Sequence, residues 1–258
     1  MPSRIKLAEM TWYDFADRVT QGDPIVIIPV GSTEQHGPHL PLSTDMILPE
    51  EIALRIAAQL DGIVAPPVSY GYKSQPKTGG GNHFPGTVSL DASTLIATLR
   101  DLVNEFARHG VRKIVLFDGH MENQWFIVEA VDLALRDQRR EGNRDLQVLK
   151  IGYWEYINAD TEKVLFPEGL LSWALEHAAV METSVMLHVR PDLVRAELVP
   201  DHPAADFPAY DKYPIDPSRI PSDGVLSPAR SASAEKGRAV VEQVVPDIVS
   251  SIKEAFSS

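Results

Sequence analysis

A chain of 258 residues, 44% hydrophobic and 23% charged, is long enough to bury a sizeable core without a disulfide or metal staple. Its 24 Lys and Arg stand against 36 Asp and Glu, a net charge of −12, which argues against a nucleic-acid backbone or an anionic membrane as partner. The sequence has no cysteine, which excludes disulfides, thiolate nucleophiles, Cys-held zinc and iron–sulfur clusters, so any metal must be held by His, Asp and Glu.

Residues 1–10 carry Arg4, Lys6 and Glu9 and no apolar run of signal length, and no stretch reaches the about 20 apolar residues of a membrane span. A cytoplasmic location is therefore expected. Ile25 to Ile28 form a continuous apolar run, the pattern of a strand buried on both faces. A helix is predicted over 48–60, with Ile52, Ile56 and Leu60 on one stripe and Pro49 in the first turn. A short strand follows at 63–65. The next helix, over 93–108, has Asp91 or Ser93 as cap, Leu95, Leu99, Leu102 and Phe106 as its stripe, and Gly110 as its stop. A strand at 113–117, a helix over 123–139 and a strand at 146–151 continue the alternation, which predicts βαβ units and a mostly parallel sheet. A C-terminal helix is expected over 232–256, interrupted or kinked at Pro246. Two long Gly/Pro-rich connections, 66–86 and 200–228, are of a length that serves a site or an interface. No repeat or linker divides the chain, so one α/β domain is expected over 1–258.

Polar clusters follow two of the predicted strands. Gly31-Ser-Thr-Glu34-Gln-His36-Gly-Pro-His39 and Asp45 come after the first, and Asp118-Gly-His120-Met-Glu122-Asn123 after the strand at 113–117. Sites in open α/β sheets lie beyond the carboxyl ends of strands. In an extended segment the two-residue spacing of Glu34 with His36, and of His120 with Glu122, turns each pair to one side. Two such pairs and Asp45, a carboxylate able to bridge, make a two-metal site that would activate water and clamp a substrate oxygen. Helix caps or Gly-Pro turns are the competing explanation for either pair alone. His39, after Pro38, suits a structural role better than ligation. Glu176-His177, followed by Met181-Glu182-Thr-Ser184, admits two readings: a proton shuttle, or a solvated pair on a helix face. His83, His109, His188 and His202 are read as structural. No G-x-S-x-G elbow, P-loop or dinucleotide fingerprint is present.

Glu34-Gln-His-Gly-Pro-His-Leu-Pro-Leu-Ser-Thr-Asp45 and Gly119-His-Met-Glu-Asn123 resemble the metal motifs of the creatininase family of amidohydrolases. The resemblance extends through Gly71-Tyr-Lys-Ser-Gln75, Gly79-Gly-Gly-Asn-His-Phe-Pro-Gly-Thr87, Pro167-Glu-Gly169, Glu176-His177, Glu182-Thr-Ser184, Asp201-His-Pro203 and Phe207-Pro-Ala-Tyr-Asp211, nearly the whole chain. It implies a three-layer α/β/α fold, two divalent ions (Mn²⁺ and/or Zn²⁺) per subunit, and a homohexamer. By matching position, Glu34 and His120 would hold one ion, His36 and Glu122 the other, with Asp45 between them. Glu122 and His177 are the implied catalytic residues: a metal-activated water attacks the carbonyl of a cyclic amide, and His177 passes a proton to the departing nitrogen. The implied substrate contacts are Thr78, Met121, Trp154, Trp173, Ala174 and His177, the two tryptophans closing over a small cyclic amide such as creatinine, which this family interconverts with creatine. Met121 and Ala174 depart from the family pattern, which has Tyr and Asp there, so the pocket is expected to be roomier and less polar. Two other functions fit the same residues: hydrolysis of a different small amide or formamide, and a catalytically silent metal-binding oligomer.

Overall fold

The computed structural model describes residues 4–257; residues 1–3 and 258, at the ends of the expected domain, lie outside the described residues. A helix that the apolar pattern did not announce comes first: α1 (Trp12–Gln21), whose Thr11 and Asp14 form a reciprocal capping box. The elements β1 (Ile25–Val30), α2 (Thr44–Ala57), β2 (Gly62–Val64), α3 (Ala92–Arg108), β3 (Lys113–Asp118), α4 (Gln124–Arg140) and β4 (Gln147–Gly152) follow, in the predicted alternation. Three more helices complete the chain: α5 (Ala159–Leu165), α6 (Val180–Val189) and α7 (Ala234–Ala255). The sheet has four strands in the order β2-β1-β3-β4, and every pairing is parallel.

Successive strand residues point to opposite faces, and both faces are covered. Ile25, Ile27, Val115 and Phe117 pack under α2, α6 and α7, whereas Val26, Ile28, Val30, Ile114 and Leu116 pack under α3 and α4. This is the expected three-layer α/β/α arrangement, and all six β1 residues are buried. Each fully buried Ile or Leu of this kind contributes about 1.5–3 kcal/mol.

Some boundaries differ from the expectation. The stripe of α3 is rotated: Leu95, Leu99, Val103 and Ala107 are the buried positions, with Leu102 and Phe106 at its margin. Asp91 takes the N-cap place of α3 but its side chain pairs with Lys73. α7 runs unbroken through Pro246, because that residue faces solvent, where water can satisfy the carbonyl left without a partner. α2 begins at Thr44 rather than 48, which puts Asp45 in its first turn and Pro49 in its second. The long connections hold little regular structure. Residues 66–86 touch their surroundings through isolated bridges, and Lys77 Nζ joins the two connections by donating to the Tyr210 carbonyl at 2.9 Å. Among the described residues, no helix is long and apolar enough to cross a membrane.

Candidate metal centre

The parallel register places the ends of β1 and β3 side by side, with Val30 opposite Asp118 and Gly119 N–H donating to the Val30 carbonyl at 2.9 Å. The first turns of α2 lie directly across these ends. A Cβ on Gly31 would come within 2.4 Å of the Asp45 carbonyl oxygen, and one on Gly119 within 2.4 Å of Pro49 Cγ. Only glycine permits this approach. Pro49 has no N–H to return to the Asp45 carbonyl, so the helix can present that oxygen to the strand ends without losing a ladder bond it could have made.

The result is a buried cluster. Asp45 spans it, with Oδ1 2.9 Å from His36 Nε2 and Oδ2 3.0 Å from His120 Nδ1. His120 Nδ1 also lies 3.0 Å from Glu34 Oε2 and 3.5 Å from Glu122 Oε2. The far nitrogen of each imidazole is anchored to a backbone carbonyl: His36 Nδ1 to Glu34 at 3.1 Å, His120 Nε2 to Tyr72 at 3.0 Å. That anchoring turns the near nitrogens into the cluster, the orientation used by metal-ligating histidines. Glu34 Oε1, His36 Nε2 and Asp45 Oδ2 have no hydrogen-bond partner although buried. Orphaned atoms of this kind, aimed inward from oxygen and nitrogen donors with no sulfur, fit divalent cations of the Mn²⁺ or Zn²⁺ type.

Among the described residues the potential ligand atoms form three groups, each with its atoms within 4.8 Å of one another: Glu34, His120 and Glu122; His36, Asp45 and Glu182; and, between these two, Glu34, His36 and His177. Glu122 thus sits with Glu34 and His120, not with His36 as the family pattern implied, and Glu182 stands in its place, with Oε2 3.7 Å from His36 Nε2. Sequence reasoning had grouped Glu182 only with the proton-shuttle cluster. Its sole signal was a carboxylate set in the first turn of the apolar α6, which is buried from Val180 to Met186.

Charge is tightly balanced here. Burial pushes the Glu34 carboxyl up to about 8, against the pull of His120. Burial disfavours the charged imidazoles of His36 and His120 as well, but the carboxylates around them outweigh it and hold both well above the ordinary histidine range. Asp45 is lowered despite burial, by His36 and His120. His177 goes the other way: burial, then the positive His36, keep its imidazole well below its ordinary value and therefore neutral.

A cleft opens above the cluster, lined by Thr78, Met121, Trp154, Trp173, Glu176, His177 and Met181 among others. His177 is buried, its ring centroid 4.4 Å from that of His36 and its Nδ1 4.0 Å from Glu34 Oε2. The solvated-pair reading of Glu176-His177 is therefore corrected: both side chains are enclosed. Glu176 accepts from Met181 N–H, and burial raises it to about 7. Thr78 donates its hydroxyl to Glu122 Oε1, to which Gln75 N–H also donates. Trp173 packs edge-on against Phe166, and Trp154 edge-on against Tyr153. Ala174 lies in the 3₁₀ turn Trp173–Leu175 with its N–H on Ser172 Oγ, and is not among the lining residues. His39 takes the structural role expected of it: its Nε2 lies 2.9 Å from Thr183 Oγ1, away from the cleft.

Comparison with known proteins bears on this cluster. The creatininase family model, described as creatinine amidohydrolase, matches residues 8–252. A creatinine amidohydrolase from Pseudomonas putida is 47% identical over 257 residues, covering 99% of each chain. A solved structure of the manganese form of a creatininase superposes with a TM-score of 0.96 at 47% identity, over 98% of this chain and 99% of that one. Two structures of a creatininase point variant, one complexed with creatine and one of Zn–Zn type, match with TM-scores of 0.96 at 46% identity, over 98% of this chain and 99% of theirs.

Proposed function

The chain belongs to the creatininase family, and from that premise we propose that it is a metal-dependent amidohydrolase opening a cyclic amide, creatinine or a near analogue, in one domain over residues 1–258. The observation that carries the proposal is the convergence of Glu34, His36, Asp45, His120, Glu122 and Glu182, with three buried atoms that make no hydrogen bond. In this reading Glu34, His120 and Glu122 would hold one ion and His36 and Glu182 the other, with Asp45 available to both. Two bound Mn²⁺ or Zn²⁺ ions supply Lewis acidity toward the carbonyl and lower the pKa of water.

The protein's own side chains supply orientation and proton handling. Thr78 and the Gln75 amide occupy Glu122 Oε1, which fixes the carboxylate and leaves Oε2 toward the cluster. Trp154 and Trp173 wall the cleft with flat faces suited to a planar ring. His177 takes up a proton in this reading and passes it to the departing ring nitrogen; its burial at the cleft and its lowered pKa support that role. Met121 gives this part of the wall an apolar surface. We place the enzyme in the cytoplasm as a symmetric homo-oligomer, a hexamer by family resemblance. The length and aromatic content of residues 200–228, with Tyr210 and Tyr213 exposed, support an interface there.

The test is removal of metal by chelator followed by return of Mn²⁺ or Zn²⁺, with creatinine ring opening and metal content measured together. Activity should be lost and recovered in proportion to about two ions per subunit. Full turnover by the metal-stripped protein would refute the proposal.

A further inference from the structure

Gln35 sits in the sequence between two of the proposed ligands, yet its side chain turns away from them into a buried junction of three loops. Its Nε2 donates to the Gly79 carbonyl at 3.0 Å and the Gly224 carbonyl at 2.9 Å, and its Oε1 accepts from Gly37 N–H at 2.9 Å. A carboxamide has two hydrogens, and both are used. The reversed orientation would set its oxygen against two carbonyl oxygens, so the network assigns which end is nitrogen.

His177 Nε2 lies 2.8 Å from the Gln35 backbone carbonyl and 2.9 Å from Gln35 Nε2. A carbonyl can only accept, and the amide has no hydrogen left to give. Nε2 must therefore carry a ring hydrogen, which leaves Nδ1 as the ring nitrogen able to exchange a proton. Nδ1 is the nitrogen on the Glu34 side, 4.0 Å from its Oε2. Both flanks of this contact are pinned. Gln35 N–H donates to Thr87 Oγ1 at 3.0 Å. On the other side Ala178 is held at φ 55, a conformation uncommon for a residue with a side chain, with its N–H on Glu182 Oε2 at 2.6 Å.

We propose that Gln35 is the positioning residue for proton transfer: its carbonyl holds His177 Nε2–H, so that Nδ1 is the atom that moves the proton. The inference rests on the reading of His177 as the proton-transferring group. In the reaction, hydroxide from water adds to the amide carbon and the C–N bond breaks. The proton released by that water travels through Nδ1 to the departing nitrogen, while Nε2 keeps its hydrogen throughout. The ring returns to its starting form and no reactant other than water is consumed.

The experiment is a double-variant cycle on kcat and KM with Gln35→Met and His177→Asn, metal content being measured on each protein. Gln35→Met removes both amide donors at nearly constant length, freeing the loop that carries the carbonyl. Misplacing a reacting group by about 1 Å can cost about 10²-fold, so kcat should fall on that order with KM and metal content little changed. In the His177→Asn background the same change should cost nothing further, because its route to the chemistry is gone. Should Gln35→Met fail to retain its metals, Thr87→Val, which removes the acceptor of Gln35 N–H, takes its place in the cycle, with Thr87→Ser expected to restore turnover. Losses that multiply in the double variant, or wild-type kcat in the single one, would overturn the positioning role. Wild-type turnover in His177→Asn would instead overturn the reading of His177 itself.

Discussion

Glu182 offers the sharpest perturbation of the proposed centre. Its Oε2 lies 2.6 Å from Ala178 N and 3.7 Å from His36 Nε2, and the residue is 9% exposed. Glu182→Gln keeps the shape and an oxygen for the Ala178 N–H while removing the charge. A unit charge 3.7 Å from another, at the effective dielectric of about 20 that suits such sites, interacts by about 4.5 kcal/mol before desolvation is subtracted. If somewhat over half of that survives, the ion in the His36 and Asp45 group binds about 100-fold more weakly, or about 2.7 kcal/mol. The ion held by Glu34, His120 and Glu122 should be little affected. The assay is metal content after desalting, with competition by a graded series of chelators, beside creatinine turnover. One ion per subunit should leave readily and one remain. Two ions retained at wild-type affinity would reduce Glu182 to an acceptor for the Ala178 amide and return its half of the centre to His36 and Asp45 alone.

His177→Ala should lower the rate by about 10²–10⁴-fold while the metals stay bound; near-normal turnover would leave His177 as a buried structural group. Metal uptake should release protons, because His36 and His120 are held above their ordinary values by neighbouring carboxylates and a cation must displace those protons. Affinity should therefore rise with pH through the range where the two imidazoles lose their protons, and calorimetry in buffers of different ionisation enthalpy that found no proton release would contradict this. At the cleft wall, a larger or less cationic cyclic amide should surpass creatinine in kcat/KM, and Met121→Tyr/Ala174→Asp should shift preference back toward creatinine. Since Met121 lines the cleft and Ala174 does not, most of that shift should come from position 121. An unchanged ratio would show that these positions do not set specificity.

Local pattern was enough for the sheet and for α2, α3, α4 and α7, which flank it. The apolar run at Ile25 to Ile28 became a strand because burial on both faces demands unbroken hydrophobicity, and the 3.6-residue stripe of α3 became a helix because a period of two would split Leu95 and Leu99 from Leu102 and Phe106. The spacing of Glu34 with His36 and of His120 with Glu122 likewise marked out the two strand ends. What spacing could not settle was which ligand shares a group with which. Glu122 and Glu182 are both carboxylates, and their sorting depends on how the turn Met121–Asn123 and helix α6 are carried over the sheet. α6 itself was hard to read, because a helix enclosed nearly all round shows no polar face and thus no stripe. Gln35 is the extreme case: its neighbours in the chain are proposed ligands, but its partners, Gly79, His177 and Gly224, lie 44, 142 and 189 residues away. Hydrogen bonds across such separations leave no periodicity in a sequence, and only the packing of three loops against one another brings their donors and acceptors within reach.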